Sequence, residues 1–226
     1  GELKSKGHLV KYTQSIEDID NESIIILISS IVCHEYEIDC LNQIKNLNNK
    51  IFTVGPFASN FPQKYIESGS KVIKGEPEMF FKDFNFYKNN FSDLPDIVNK
   101  FKIYDINELS YPAWDVILNY QDTKMSFLGK GRAAYINSSR GCPYSCFNYC
   151  VYPLQQGRQV RYKNADRVLN EMNYCYEKFQ IKNFVFRDPV FSINRKNTIE
   201  LCIKLISNRQ KFNICIETHL KNLDDE

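Results

Sequence analysis

Along the first ninety positions the spacing of apolar residues alternates between two periods. The run IIILISSIVC, residues 24–33, is almost continuously apolar between polar flanks and predicts a buried strand over Ser23–Ser29. Tyr36, Cys40, Ile44 and Leu47 then recur at helical spacing. KIFTVGPFAS, residues 50–59, returns to strand character and runs into a Gly55-Pro56 turn. QKYIESGS predicts a short helix, KVIKGEPE a strand entering a second turn at Gly75–Glu78, and MFFKDFNFY a closing helix. Strand, helix, strand at this spacing is a right-handed crossover in a parallel sheet. Ahead of these elements, GELKSKG predicts the end of a helix capped by Gly7, and His8–Tyr12 a strand, with His8 a solvated turn residue. Residues 1–88 therefore predict one small doubly wound α/β domain that opens in mid-unit.

The periodicity fades from 89 to 131, where Pro95 and Pro112 stand among polar residues, and the stretch reads as a connector with short helical pieces. Trp114 within it is expected to anchor the connector in a core. From 132 to 226 the alternation resumes. AAYINSSRG, KNFVFRDPVF and FNICIETHL predict three strands, separated by the helical segments NADRVLNEMNYCYEKF and KNTIELCIKLISNRQ. The second half is thus three βα units, and the whole chain falls in the α/β class.

Composition narrows the partners. A formal net charge of +2, with basic residues scattered rather than clustered, gives no support to nucleic-acid binding. The run at 24–33 is about half the length of a membrane-spanning helix, so no membrane association is expected. The first ten residues lack the apolar core of a secretory signal, which makes a reducing cytoplasm the expected compartment. Eight cysteines are too few for a disulfide-stapled fold of this length. Five of them, Cys33, Cys40, Cys175, Cys202 and Cys215, stand alone in apolar segments and read as small buried hydrophobes.

The other three are clustered in RGCPYSCFNYC, residues 140–150, directly after a predicted strand. Cys142, Cys146 and Cys150 at i, i+4 and i+8 could line one face of a helix, with Pro143 in its first turn. Gly141, Asn148 and three aromatics make that segment a poor helix. Structural zinc is a second option, but it takes four close ligands and no second cysteine knuckle is present; His34, His219 or Cys175 would have to supply the fourth. The third is a [4Fe–4S] cluster with three thiolate ligands, which leaves one iron open to a small molecule.

RGCPYSCFNYC, followed by RYKNADRVLNEM and FVFRDPVFSINR, resembles the radical S-adenosylmethionine enzymes. In that family the open iron chelates the amino and carboxylate groups of S-adenosylmethionine, and the reduced cluster cleaves it to a 5′-deoxyadenosyl radical. The usual spacing is Cys, three residues, Cys, two residues, Cys, with an aromatic before the last. Here Tyr149 matches the aromatic, and the second gap holds one residue more, Phe147 or Asn148. A bulged loop, using up to about 3.3 Å of extra chain, would accommodate it.

The first half is similar to the cobalamin-binding domain that precedes the radical domain in one large subclass, carried by IIILISS, KIFTVGPFAS and KVIKGEPEMFFKDF. The resemblance implies cobalamin contacts from Gly55, Pro56, Gly75 and Glu76 at the strand ends, where backbone can approach a ligand closely; ordinary αβ turns are the alternative. Around the cluster it implies that Tyr149 packs near the adenine and that Asp188 and Glu217, from strand ends beside Arg187, contact S-adenosylmethionine, with Arg158 and Arg161 as lesser candidates. A surface salt bridge is the alternative for each. The family's radical domain is a partial barrel of about six βα units, so three units imply a chain truncated at both ends, with an open sheet edge through which it could associate.

The implied function of the complete protein is a cobalamin-dependent radical S-adenosylmethionine enzyme. Members of that subclass commonly transfer methyl groups, though some catalyse rearrangements or ring contractions, and the resemblance implies a small-molecule or peptide substrate and an external electron donor. The alternative is a catalytically incompetent remnant that keeps corrinoid or metal.

Overall fold

Four parallel strands, lying side by side in the order in which the chain makes them, carry the first part of the molecule. The structure is a computed structural model and describes all residues except 22, 46, 48, 119–125, 128–129, 147–149, 151 and 224–226. The chain divides into two units. The amino-terminal unit comprises Glu2–Ile103 with Ser145–Gln156, and the carboxy-terminal unit Gly1, Tyr104–Tyr144 and Gly157–Glu226.

The amino-terminal unit begins with helix α1 (Glu2–Ser5), which ends at Gly7 with φ +81°, as its sequence predicts. There follow β1 (Ile24–Ile28), α2 (His34–Ile44), β2 (Lys50–Val54), α3 (Pro56–Asn60), α4 (Pro62–Glu67), β3 (Lys71–Gly75), α5 (Glu78–Lys82), α6 (Phe84–Asn89) and β4 (Ile97–Phe101). Alternate strand residues serve two cores. Ile25, Leu27, Ile51 and Val72 pack with Leu41, Ile44, Ala58 and Tyr65, while Phe52, Val54, Ile73 and Val98 pack with Phe80 and Phe84. A strand covered on both faces has no polar side to show, which is why β1 reads as an unbroken apolar run.

Several expectations change. Both faces of the sheet are covered, but the order β1-β2-β3-β4 contains no reversal, so the described strands hold no switch point of the doubly wound kind. The sheet also runs past residue 88: β4 pairs with β3 inside the stretch read as connector, hidden in the sequence by Pro95, Asn99 and Lys100. His8–Tyr12 forms no strand. His8 is half-buried instead, its ring edge-on to Phe84 at 5.4 Å. The closing helix is two short pieces broken at Asp83. Helix α2 buries Glu37, Leu41 and Ile44 rather than the face bearing Tyr36, which is exposed.

In the carboxy-terminal unit, α7 (Trp114–Leu118) is followed by β5 (Ser126–Phe127), β6 (Lys130–Ile136) and β7 (Ser139–Arg140). Helix α8 (Tyr152–Gln156) belongs to the amino-terminal unit and packs on α3 there. Next come β8 (Arg161–Tyr162), α9 (Ala165–Phe179), β9 (Asn183–Phe186), α10 (Arg195–Ser207) and β10 (Asn213–Cys215). The sheet order is β10-β9-β6-β5, with the first three parallel and β5 antiparallel to β6, while β7 and β8 form a separate antiparallel pair. The three predicted strands and the two helices between them are present, and after β10 the described chain holds only a short 3-10 turn, Leu220–Asn222. Trp114, Ala134, Ile136, Val168, Met172, Phe184 and Leu201 form the core, so Trp114 is the anchor its sequence context predicts.

Of the five isolated cysteines, only Cys175 is fully buried. Cys40 and Cys215 are half-buried, and Cys33 and Cys202 are exposed. Cys33 precedes α2 in an exposed loop and Cys202 lies on the outer face of α10, so apolar neighbours in sequence did not put either one inside.

Candidate functional site

Three parallel strands of the carboxy-terminal unit end side by side, and the residues just beyond those ends carry the polar chemistry of the unit. After β6 the chain turns through Ser138 and Ser139, and after β9 it reaches Arg187 and Asp188. The Asp188 carboxylate is 0% exposed. It accepts hydrogen bonds from the Ser138 amide at 3.0 and 3.1 Å, from the Ser138 hydroxyl at 3.0 Å, and from the amide and hydroxyl of Ser139. Burial raises its carboxyl above the usual range, and the serine donors pull in the opposite direction. Asp188, expected from the resemblance to meet S-adenosylmethionine, holds the Ser138–Ser139 backbone just ahead of Cys142, the first cysteine of the motif.

That cysteine is tightly framed. Gly141 has φ +94°, and a Cβ there would fall 2.2 Å from the Gln159 carbonyl oxygen, so only glycine fits between the two arms of the β7–β8 pair. The Cys142 amide donates to the Gly157 carbonyl at 3.1 Å, and the Arg158 guanidinium donates to the Tyr144 carbonyl at 3.2 Å. Cys142 itself is 4% exposed. Arg158, a lesser candidate for carboxylate pairing, thus braces the loop through main-chain oxygens.

Arg187 and Glu217 form an ion pair of 2.6 Å, with both side chains half-exposed. This is the surface salt bridge weighed as the alternative for Glu217, and it leaves both groups open to solvent at the strand ends. Arg161 is buried in β8. Behind the turn, Lys163 and Glu171 make a buried ion pair of 3.0 Å, and the Trp114 indole N–H donates to the other Glu171 oxygen at 3.1 Å. Burial lowers the Lys163 ammonium from its ordinary range, against the attraction of Glu171. The Lys163 amide donates to the Ser138 carbonyl at 2.7 Å, so the Ser138 peptide is gripped at both ends.

In the amino-terminal unit the strand ends carry Ser29, Gly55, Gly75 and Glu76. Gly55 has φ +112°, and a Cβ would lie 2.8 Å from the Ser29 carbonyl oxygen. The approach that demands glycine is therefore made by β1, and the Ser29 hydroxyl accepts the Ala58 amide at 2.9 Å to cap α3, whose first residue is Pro56. Gly75, with φ +93°, directs its amide to the Ser59 hydroxyl at 3.3 Å. Glu76 is buried and accepts the Ile103 amide at 2.9 Å, a role in closing the chain after β4. Each of these residues has a structural task in the unit, in line with the ordinary αβ turns held as the alternative. Cys146 is exposed and Cys150 half-buried, and neither is in a disulfide. Tyr149, Phe147 and Asn148 lie outside the described residues. Among the described residues, no three His, Cys, Asp or Glu side chains lie together as a metal site.

Sequence reasoning missed Ser138 and Ser139, which passed as ordinary strand residues, and the Lys163–Glu171–Trp114 group. A serine pair at one strand end with a carboxylate two residues past the neighbouring strand is the signal that pointed to the first. Lys163 just ahead of α9, Glu171 inside it and Trp114 in α7 gave no such signal, since only the fold brings them together.

No family model matches the sequence. An uncharacterized methyltransferase of Pyrococcus horikoshii is 25% identical over 71% of this chain and 38% of its own length. One of Synechocystis is 23% identical over 82% of this chain and 32% of its own. The anaerobic magnesium-protoporphyrin IX monomethyl ester cyclase of Cereibacter sphaeroides is 30% identical over 46% of this chain and 16% of its own. The chain thus spans about a third of the methyltransferases it matches. Its fold is similar to that of OxsB, a cobalamin-dependent S-adenosylmethionine radical enzyme solved with aqua-cobalamin and S-adenosylmethionine bound. The TM-score is 0.66 at 16% identity, over 88% of this chain and 30% of that one. The resemblance to the cobalamin-dependent radical S-adenosylmethionine enzymes, drawn first from the cysteine motif, holds in fold, and the relatives in sequence are named as methyltransferases and a cyclase.

Proposed function

We propose that the protein containing this chain is a cobalamin-dependent radical S-adenosylmethionine enzyme that transfers methyl groups, with Cys142, Cys146 and Cys150 as the thiolate ligands of a [4Fe–4S] cluster. The observation that carries the proposal is the cysteine motif, which follows the first parallel strand of a unit whose fold resembles that of such an enzyme. Three free thiols within nine residues are a soft donor set suited to iron and sulfide. When bound, the cluster supplies the electron that cleaves S-adenosylmethionine, and cobalamin carries the methyl group.

This chain's own residues supply support and orientation. Asp188, Gly141 and Arg158 fix the backbone on both sides of Cys142. Arg187 and Glu217, half-exposed at the ends of β9 and β10, offer opposite charges that suit the carboxylate and ammonium of an amino-acid moiety. Gly55 and Gly75 stand at the carboxyl ends of β2 and β3 in the other unit, the edge where parallel sheets take nucleotide-like ligands.

Anaerobic reconstitution of the chain with ferrous iron and sulfide tests the proposal. The reduced protein is expected to give an electron paramagnetic resonance signal that shifts when S-adenosylmethionine is added. A protein that takes up zinc alone, or an iron signal indifferent to S-adenosylmethionine, would make the chain a metal-binding remnant rather than part of such an enzyme.

A further inference from the structure

Asp188 is the most completely buried acid near the motif, and its partners are unusual in being confined to two consecutive residues of another strand end. Both amides and both hydroxyls of Ser138 and Ser139 point to its carboxylate. The Ser138 carbonyl is taken by the Lys163 amide, and the Ser139–Arg140 strand pairs with Arg161–Tyr162. Two residues further on stand Gly141, pressed against Gln159, and the buried Cys142. A carboxylate can satisfy several donors at once because it is acceptor-only, whereas a carboxamide of the same shape would turn an N–H group toward those donors. Leaving such buried amides unmatched is costly, and the turn would open to recover water.

We propose that Asp188 is a positioning residue for the first cysteine of the motif: its carboxylate clamps the Ser138–Ser139 turn and thereby fixes the place and shelter of the Cys142 thiol. This role differs from contact with S-adenosylmethionine, for which a carboxylate closed off from solvent is poorly placed. Its relevance to catalysis rests on the reading of Cys142 as a cluster ligand, but the clamp itself can be measured without any cluster.

The test is thiol alkylation of the metal-free full chain, with labelled positions located by peptide mass spectrometry. In the wild type, exposed Cys146 labels quickly, Cys142 slowly, and fully buried Cys175 not at all. Asp188→Asn is expected to speed Cys142 labelling by roughly tenfold or more, the factor that about 1.4 kcal/mol of lost local stability gives, with Cys175 still protected. Leu201→Ala, which opens a cavity in the core of the same unit without touching the clamp, should leave Cys142 protected. If Asp188→Asn also exposes Cys175, the fold has failed and the double variant Ser138→Ala/Ser139→Ala decides, a rise at Cys142 supporting the clamp and none overturning it. Unchanged Cys142 labelling in a folded Asp188→Asn chain overturns the proposal. So does a reconstituted Asp188→Asn protein that loses only its response to S-adenosylmethionine. A wild-type chain that binds no iron would instead count against the proposed function and leave the labelling result standing.

Discussion

Trp114 and Cys175 both depend on the same acid. The indole of Trp114 donates to Glu171, and the Glu171 charge adds to burial in pushing the Cys175 thiol up to about 12. Replacing Trp114 by Phe keeps an apolar ring but removes the donor, leaving one oxygen of a buried carboxylate short of a partner. We expect a loss of roughly 2–3 kcal/mol in chemical denaturation, mostly from that missing charge-assisted hydrogen bond. Cys175 makes a second prediction, in pH. Its ordinary thiol value is 9.0, so between there and about 12 the unfolded chain sheds a proton that the folded chain keeps. Stability must therefore fall as pH rises through that window, and the fall should be smaller in Cys175→Ala, where the thiol is gone. Denaturant midpoints of the two proteins across that range measure the difference. At this scale the sequence was informative about type but not about partner. Trp114 was legible as an anchor because a lone tryptophan is seldom left outside a core. Its bond to Glu171, more than fifty residues away, was not, since nothing local encodes it.

Helix α10 separates what periodicity can reveal from what it cannot. Leu201 lies in the core, yet Ile199, Ile203 and Ile206 on another face are exposed. Leu201→Ala should cost about 2–4 kcal/mol by opening a cavity, while Ile206→Ala should stay within about 0.5 kcal/mol. Equal costs in denaturation would mean that the Ile206 face is covered in solution. The helix was easy to foresee because it is long and apolar-rich, but an apolar residue on each of two faces leaves the inward one undecided. In α2 the difficulty was the reverse. Glu37 sits in the buried stripe because the Ser30 amide and the Tyr65 hydroxyl meet its carboxylate at 2.8 and 2.7 Å, so a polar letter marked the inner face and Tyr36 misleadingly marked the outer one. Strand β4 was lost for a related reason. Five residues with two polar ones after a proline resemble a loop until β3 is there to pair with them.

Over the whole molecule, the α/β character, the three strands of the second half with the two helices between them, and the position of the cysteine motif after a parallel strand were all readable, because each rests on local period and spacing. Strand order was not, since it depends on which edges meet; the four described strands of the amino-terminal unit lie in sequential order with both faces covered. Of the proposed site, spacing singles out only the cysteines. Cys142, Cys146 and Cys150 announce themselves by spacing, whereas the fully buried, serine-bound state of Asp188 and the Ser29 contact that requires Gly55 come from tertiary packing. No helix among the described residues is long and apolar enough to cross a membrane. The central claim is that three cysteines of one short motif hold an iron–sulfur cluster. Its most direct measurement is the iron and acid-labile sulfide content of the anaerobically reconstituted chain beside its Cys146→Ala variant. The account predicts about four of each per wild-type chain and a large loss in the variant. Equal metal content in the two proteins, or none in the wild type, would contradict it.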